Sequence, residues 1–317
     1  METIYFLVQQ TMLFSIPLLL VALGGMFSER SGVVNIALEG IMIIGAFTGI
    51  FFISRFGNLF SPTITLFIAI IISALSGLIF SLLHAYASIN MSADQVISGT
   101  ALNIFAPAFA IYVTRAIQVV QQISFVNNFR IESVPVLGNI PIIGNLLFKN
   151  AYITTYLGFI ILALSWFALY KTRFGLRLRS CGEHPQAADS VGINVYKMRY
   201  FGVAISGALA GIGGLVFVIP TSTNFNATVA GYGFLALAVL IFGQWKPMRI
   251  LYAAFFFGLM KTLASAYSGI PILANLPISN SVYKMIPYIT TIIVLAFTSK
   301  NSQAPKASGL PYDKSVR

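Results

Sequence analysis

The sequence predicts an all-α, polytopic membrane protein of about nine transmembrane helices (eight to ten), with room for broken or re-entrant helices among them. Three observations carry that prediction. Of 317 residues, 57% are hydrophobic and only 9% charged, whereas soluble domains carry roughly 25% charged residues; the mean hydropathy is +0.86. Apolar runs approach the ~20 residues needed to cross a bilayer again and again, where a β-barrel would show short alternating segments. The opening METIYFLVQQ has neither the basic region nor the small-residue cleavage site of a secretory signal, so the first run is expected to remain as a helix.

In chain order the runs fall at about 5–26, 33–54, 62–83, 94–115, 152–170, 200–220, 232–243, 250–268 and 282–298. The run at 232–243 is too short for a straight crossing and is expected to be tilted, extended by its neighbours or re-entrant. Basic residues set the orientation. Lys171, Arg173, Arg177, Arg179, Lys197 and Arg199 mark 171–199 as cytoplasmic, and Lys300, Lys306, Lys314 and Arg317 mark the tail likewise. Four crossings between them keep the parity. The N-terminus and the loop 116–150, with Asn127, Asn128, Pro135, Gly138, Asn139 and Pro141, then lie outside, although that loop region also carries Arg115, Arg130 and Lys149. One membrane domain over 1–298 and a cytoplasmic tail over 299–317 follow.

The net charge of +11 is a topology signal and not a nucleic-acid signal, because its residues sit at helix ends and in loops. No Walker A pattern occurs, so any use of ATP must come from a partner. There is no HExxH, no GxSxG and no Cys/His metal spacing, and the two histidines, His84 and His184, cannot assemble a catalytic centre. Neither an enzyme nor a resident cofactor or metal is expected. Cys181, the single cysteine, reads as incidental, and His84 as interfacial.

Some polar residues stand inside apolar runs, where they are expensive. Asn35 and Glu39 are four apart and share a helix face. They either line a polar pathway or lock a broken helix against its neighbours; the alternative is that Glu29 and Arg30 cap a cytoplasmic turn while Glu39 pairs with a basic neighbour or reaches the headgroups. Further on, Ser92 and Gln95 fit a capping box, with Asp94 suited to the positive helix end. Asn103 lies two turns deeper on the side of Gln95 and Gly99, as packing glue or pathway lining, and Pro107 kinks or loosens the same helix. Gly202, Ser206, Ala210 and Gly214 recur every four residues, beside Gly207 and Gly211, a pattern that lets helices approach closely in lipid.

The cytoplasmic stretch GEHPQAADSVGINV is the polar exception. Pro185 suits a first helical turn, Gln186 to Val191 can form a short helix, and Gly192 can end it, with His184 as the residue before its start. Ala187, Ala188, Val191 and Ile193 are then expected to meet another protein.

The string TRFGLRLRSCGEHPQAADSVGINVYKMRYFGVAISGALAGIGG resembles the core of ABC importer permeases of the ribose/branched-chain amino-acid type. GGMFSERSGVVNIALEGIMIIGAF resembles the nucleoside branch of that superfamily, known from guanosine and general nucleoside uptake systems, and the likeness runs from about residue 10 to 298. The resemblance implies a bacterial plasma-membrane permease subunit without an ATPase of its own. It implies a second homologous permease, an ABC ATP-binding subunit docked inside, and an extracytoplasmic substrate-binding lipoprotein that delivers a nucleoside. It further implies that Glu183, Pro185, Ala187, Ala188, Asp189, Gly192 and Ile193 couple the ATPase to the membrane helices, with Asn35, Glu39 and Asn103 as pathway candidates. A pentose-type sugar permease of the same superfamily is the alternative, and an ion-coupled secondary transporter is the rival from another class.

Overall fold

The computed structural model describes residues 2–134, 138, 140–141, 144–267, 279–298 and 303–314. Expectations that fall on Pro135, Asn139, Lys300 and Arg317 lie outside the described residues. The long helices are α1 (Glu2–Arg30), α2 (Leu38–Phe56), α3 (Pro62–Ala85), α4 (Gln95–Gln118), α5 (Ile153–Lys171), α8 (Val195–Thr221), α10 (Pro247–Ala266) and α11 (Asn280–Thr298). Between them lie the short helices α6 (Arg173–Glu183), α7 (Pro185–Ser190) and α9 (Tyr232–Phe242). A π-helical turn, Tyr86–Asn90, extends α3.

Each apolar run read from the sequence overlaps a helix, but the run at 33–54 opens with the non-helical residues 33–37, so Asn35 stands before α2 and shares no helix face with Glu39. Among the described residues seven helices are long and apolar enough to cross a membrane, and Tyr232–Phe242 is a shorter apolar helix. The difference from the expected nine begins with α9, which at eleven residues spans only ~16 Å against a hydrocarbon core of ~30 Å.

α8 is the centre of the bundle and packs on α1, α2 and α3. Its small residues are the cause. A Cβ on Gly211 would overlap the Ser73 carbonyl of α3, one on Gly214 the Met42 carbonyl of α2, and one on Gly202 the Ser31 side chain. The close approach expected from the four-residue repeat is therefore present, with backbone against backbone.

At the far end of α8 two small antiparallel ribbons form. β1 (Ile123–Ser124) pairs with β4 (Asn224–Phe225), and β2 (Arg130–Ser133) pairs with β3 (Lys149–Tyr152). At the near end lie α6, α7 and the described tail residues.

Two local expectations are corrected. α4 starts at Gln95, so its cap is Asp94, whose carboxylate accepts from Val96 N (2.8 Å) and Ile97 N (3.0 Å). Ser92 stands too early for the capping box, with φ of +50°, and Gln95 turns to another segment. His84, expected at the membrane interface, is wholly buried among the helices, and its Nε2 donates to the Val34 carbonyl at 2.9 Å. A ring between two helices can satisfy both nitrogens there, and Ser98 Oγ lies 3.1 Å from Nδ1.

Candidate functional site

Two helices begin in the middle of the bundle. After α1 ends, residues 31–37 run non-helically alongside α8 before α2 starts, and Asn35 meets Ser206, eleven residues along α8 from Val195. At 1.5 Å per residue that is ~16 Å deep. Irregular backbone at such depth must find internal partners, and the chain supplies them. Val34 N donates to Gln95 Oε1 (2.7 Å), Ser28 Oγ donates to the Val33 carbonyl (2.7 Å), and His84 holds the Val34 carbonyl.

Asn35 and Asn103 complete the break. Asn35 is wholly buried; its Nδ2 donates to Ser206 Oγ (2.9 Å) and its Oδ1 accepts from Ala37 N (3.1 Å). Asn103 reaches across from α4, donating to the Ile36 carbonyl (2.9 Å) and accepting from Gly40 N (2.7 Å). Both amides thus serve peptide groups that the first turn of α2 leaves unpaired.

Glu39 joins the second broken helix to the first. Residues 222–231 return into the bundle with positive φ at Ala227, Ala230 and Gly231, and α9 starts there. Glu39 Oε1 accepts from Gly231 N (2.9 Å) and Oε2 from Gly233 N (2.6 Å). One carboxylate therefore sits in the first turn of α2 and caps α9, at the positive ends of both helices. Gly233 is required, since a Cβ there would strike the Glu39 backbone. The pairing of Glu39 with a basic neighbour is replaced by this double backbone cap. Tyr232 follows immediately, its ring 4.0 Å from that of Phe217 and with Lys261 Nζ 5.8 Å from its centre.

At the near end the polar stretch folds as the spacing predicts. Pro185 opens α7, and Gly192 follows at φ +83° with open space around its α-carbon. The preceding basic residues are helical as well, in α6, started by Thr172, whose Oγ1 accepts from Gly175 N (3.2 Å). Ala187 is exposed and Val191 is 74% exposed. Ala188 instead faces inward, packed with Cys181, Val195 and Tyr312, and Pro185 is buried too. Ile193 and Asp189 are half-buried. Glu183 lies 3.7 Å from Arg30 at the end of α1.

Arg30 leads to contacts that sequence reasoning missed. Its guanidinium donates to the Trp245 carbonyl (3.1 Å), and Trp245 Nε1 donates to Glu29 (2.6 Å). The Glu29-Arg30 pair was visible, but its partner is 215 residues away and no local spacing pointed to it. The described elements thus form two linked parts: a corner at the near end of α8 and a core of two half-helices capped on one another.

The comparisons with known proteins fit this architecture. The sequence profile described as "Branched-chain amino acid transport system / permease component" matches residues 7–295. The chain is 42% identical to the nucleoside ABC transporter permease protein NupC of Lactococcus lactis subsp. cremoris, over 99% of this chain and 98% of that one. It is 44% identical to the guanosine ABC transporter permease protein NupQ of Bacillus subtilis, over 98% and 97%. A putative glucose ABC transporter permease protein of Haloferax volcanii is 29% identical over 88% of this chain and 87% of its own. No solved structure matches. With nearly the whole chain matched, and with half-helices meeting inside a helical membrane bundle, the chain belongs to the family of branched-chain amino acid-type transport permease components.

Proposed function

We propose that this chain is the membrane-spanning permease subunit of an ATP-driven nucleoside importer in the bacterial plasma membrane. The observation that carries the reading is the 42% and 44% identity, over nearly full length, to permeases named for nucleosides and guanosine. A second permease completes the pathway; Lactococcus lactis has two relatives of this chain named as nucleoside permeases, NupC and NupB, the latter 26% identical to it. An ATP-binding subunit supplies energy from inside and an external lipoprotein delivers the solute.

In this reading the surface of α7 and the turn after it, with Glu183, Pro185, Ala187, Ala188, Asp189, Gly192 and Ile193, receives the ATPase. Exposed Ala187 and Val191 supply the apolar contact, while buried Pro185 and Ala188 fix the helix on its base. Asn35, Glu39 and Asn103 hold the ends of the half-helices at pathway depth. Their side chains act through the backbone they cap, so solute meets the helix starts that they position. A neutral nucleoside, rich in hydrogen-bonding groups, suits a lining of Asn, Gln, Ser and Thr better than one of paired charges.

Uptake of labelled nucleoside, in cells lacking their own importer and expressing the full assembly, tests the assignment. Unlabelled nucleosides should compete and pentoses should not. Competition by pentose alone would overturn the nucleoside reading in favour of a sugar. Transport by the purified chain alone under an ion gradient would overturn the ATP-driven one.

A further inference from the structure

The described tail residues are not a free end. Gln303 N donates to Gln244 Oε1 (2.8 Å) in the turn between α9 and α10, and Ala307 N donates to the Gly182 carbonyl (2.8 Å) at the end of α6. Gly309 N donates to the Gly32 carbonyl (3.2 Å), where the non-helical segment after α1 begins. The Leu310 carbonyl accepts from Arg199 Nη1 (3.0 Å) near the start of α8, and Tyr196 Oη donates to the Tyr312 carbonyl (3.4 Å). In a dozen residues the tail crosses the near ends of α6, α8, α9 and the first broken segment.

Side chains seal the crossing. Tyr312 is 5% exposed and meets Tyr196 edge-on at 5.4 Å between ring centres. It shares one small core with Cys181, Ala188 and Val195, so its ring is the floor on which α7 rests. Arg199 lies 5.9 Å from the same ring and is only 1% exposed. Gly32, at φ +99°, leaves room for that guanidinium. Arg199 Nε and Nη2 find no acceptor among the described residues. A buried cation paired on only part of its edge is costly, and near a helix N-terminus the dipole opposes it.

We infer that residues 303–314 form a strap that couples α7 to the two broken helices, with Tyr312 and Arg199 as its positioning residues. The inference rests on the reading of α7 as the ATPase contact. A push on α7 reaches Tyr312 through Ala188, then Gly32 through Gly309, and so the segment that Asn35 and Asn103 pin. Through Gln303 the same strap holds the near end of α9, whose other end is capped by Glu39. Both half-helices are therefore tied to one cytoplasmic element.

Cys181 reports on the strap. It is wholly buried beneath Tyr312, and burial pushes its thiol up to about 11 against the opposing pull of Arg199, so it is protected twice from a maleimide. In the reconstituted importer, Tyr312→Ala and a truncation after residue 302 should label at Cys181 about tenfold faster than wild type, as local opening dictates. They should also hydrolyse more ATP per solute moved while the ATPase subunit still co-purifies. Tyr312→Phe keeps the ring and should label more slowly than Tyr312→Ala.

Unchanged labelling and an unchanged ATP-to-solute ratio in both the alanine variant and the truncation overturn the strap. Asp189→Arg and Gly192→Arg separate this from failure of the underlying reading. If those two impair ATPase stimulation while the tail variants leave labelling and the ATP-to-solute ratio at wild-type values, only the strap falls; if they too leave it intact, the ATPase contact itself lies elsewhere.

Discussion

Glu39 and Asn103 show how a polar residue in an apolar run can serve the backbone. Replacing Glu39 by Gln leaves one acceptor oxygen for two N–H groups and turns an amide N–H₂ toward donors. Asn103→Ala strips partners from Gly40 N and the Ile36 carbonyl. Each should destabilise the detergent-solubilised protein by about 1–3 kcal/mol and lower the maximal uptake rate with little change in KM. Thermal unfolding followed in parallel with uptake kinetics checks this. A raised KM at unchanged stability would instead place the side chain on the solute. The residue types of Asn35 and Glu39 announced a polar device in the membrane, but their four-residue spacing misled, because Asn35 lies in the non-helical segment before α2 and shares no helix face with Glu39; that the device is a pair of caps depended on Gly231 and Gly233, almost 200 positions away.

Among elements, α8 and α7 respond to substitution for opposite reasons. Gly211 has the Ser73 carbonyl where a Cβ would go, and both atoms belong to helix backbones that cannot yield locally. Gly211→Val should therefore force α3 and α8 apart and abolish stable insertion, seen as loss of monodisperse protein on size-exclusion chromatography. Gly192 has open space around it and only its positive φ to satisfy. Gly192→Ala should cost about 1 kcal/mol of backbone strain and leave the fold monodisperse in the same experiment. The small-residue period in α8 was plain in the sequence because close packing in lipid has few solutions. The cap of α4 was misread by two positions, since Ser92, Asp94 and Gln95 all suit a helix start and only the place of the first turn selects among them.

For the whole molecule the prediction is orientation. Basic residues concentrate in α6, in the start of α8 and in the tail, so the near end of the bundle belongs in the cytoplasm. A reporter active only in the cytoplasm, fused after Arg317, should be active, and one fused before Met1 silent; the reverse pattern would invert the assignment of α7 to the ATPase side. The ribbons β1–β4 and β2–β3 would then face outward.

Composition and periodicity by themselves determined that this is a helical membrane bundle, where its apolar runs lie, that α8 packs tightly and that a short polar helix interrupts the chain after α5. Those features follow from local chemistry: transfer of apolar surface from water, small residues at helical spacing, Pro and Gly at helix ends. Tertiary structure alone decided that α2 and α9 start at depth, that one carboxylate caps both the return segment and the helix facing it, that His84 is buried, and that the tail lies under α7. Each of these depends on a donor or ring finding its partner across tens to hundreds of residues, and long-range pairing leaves no period in the sequence to read.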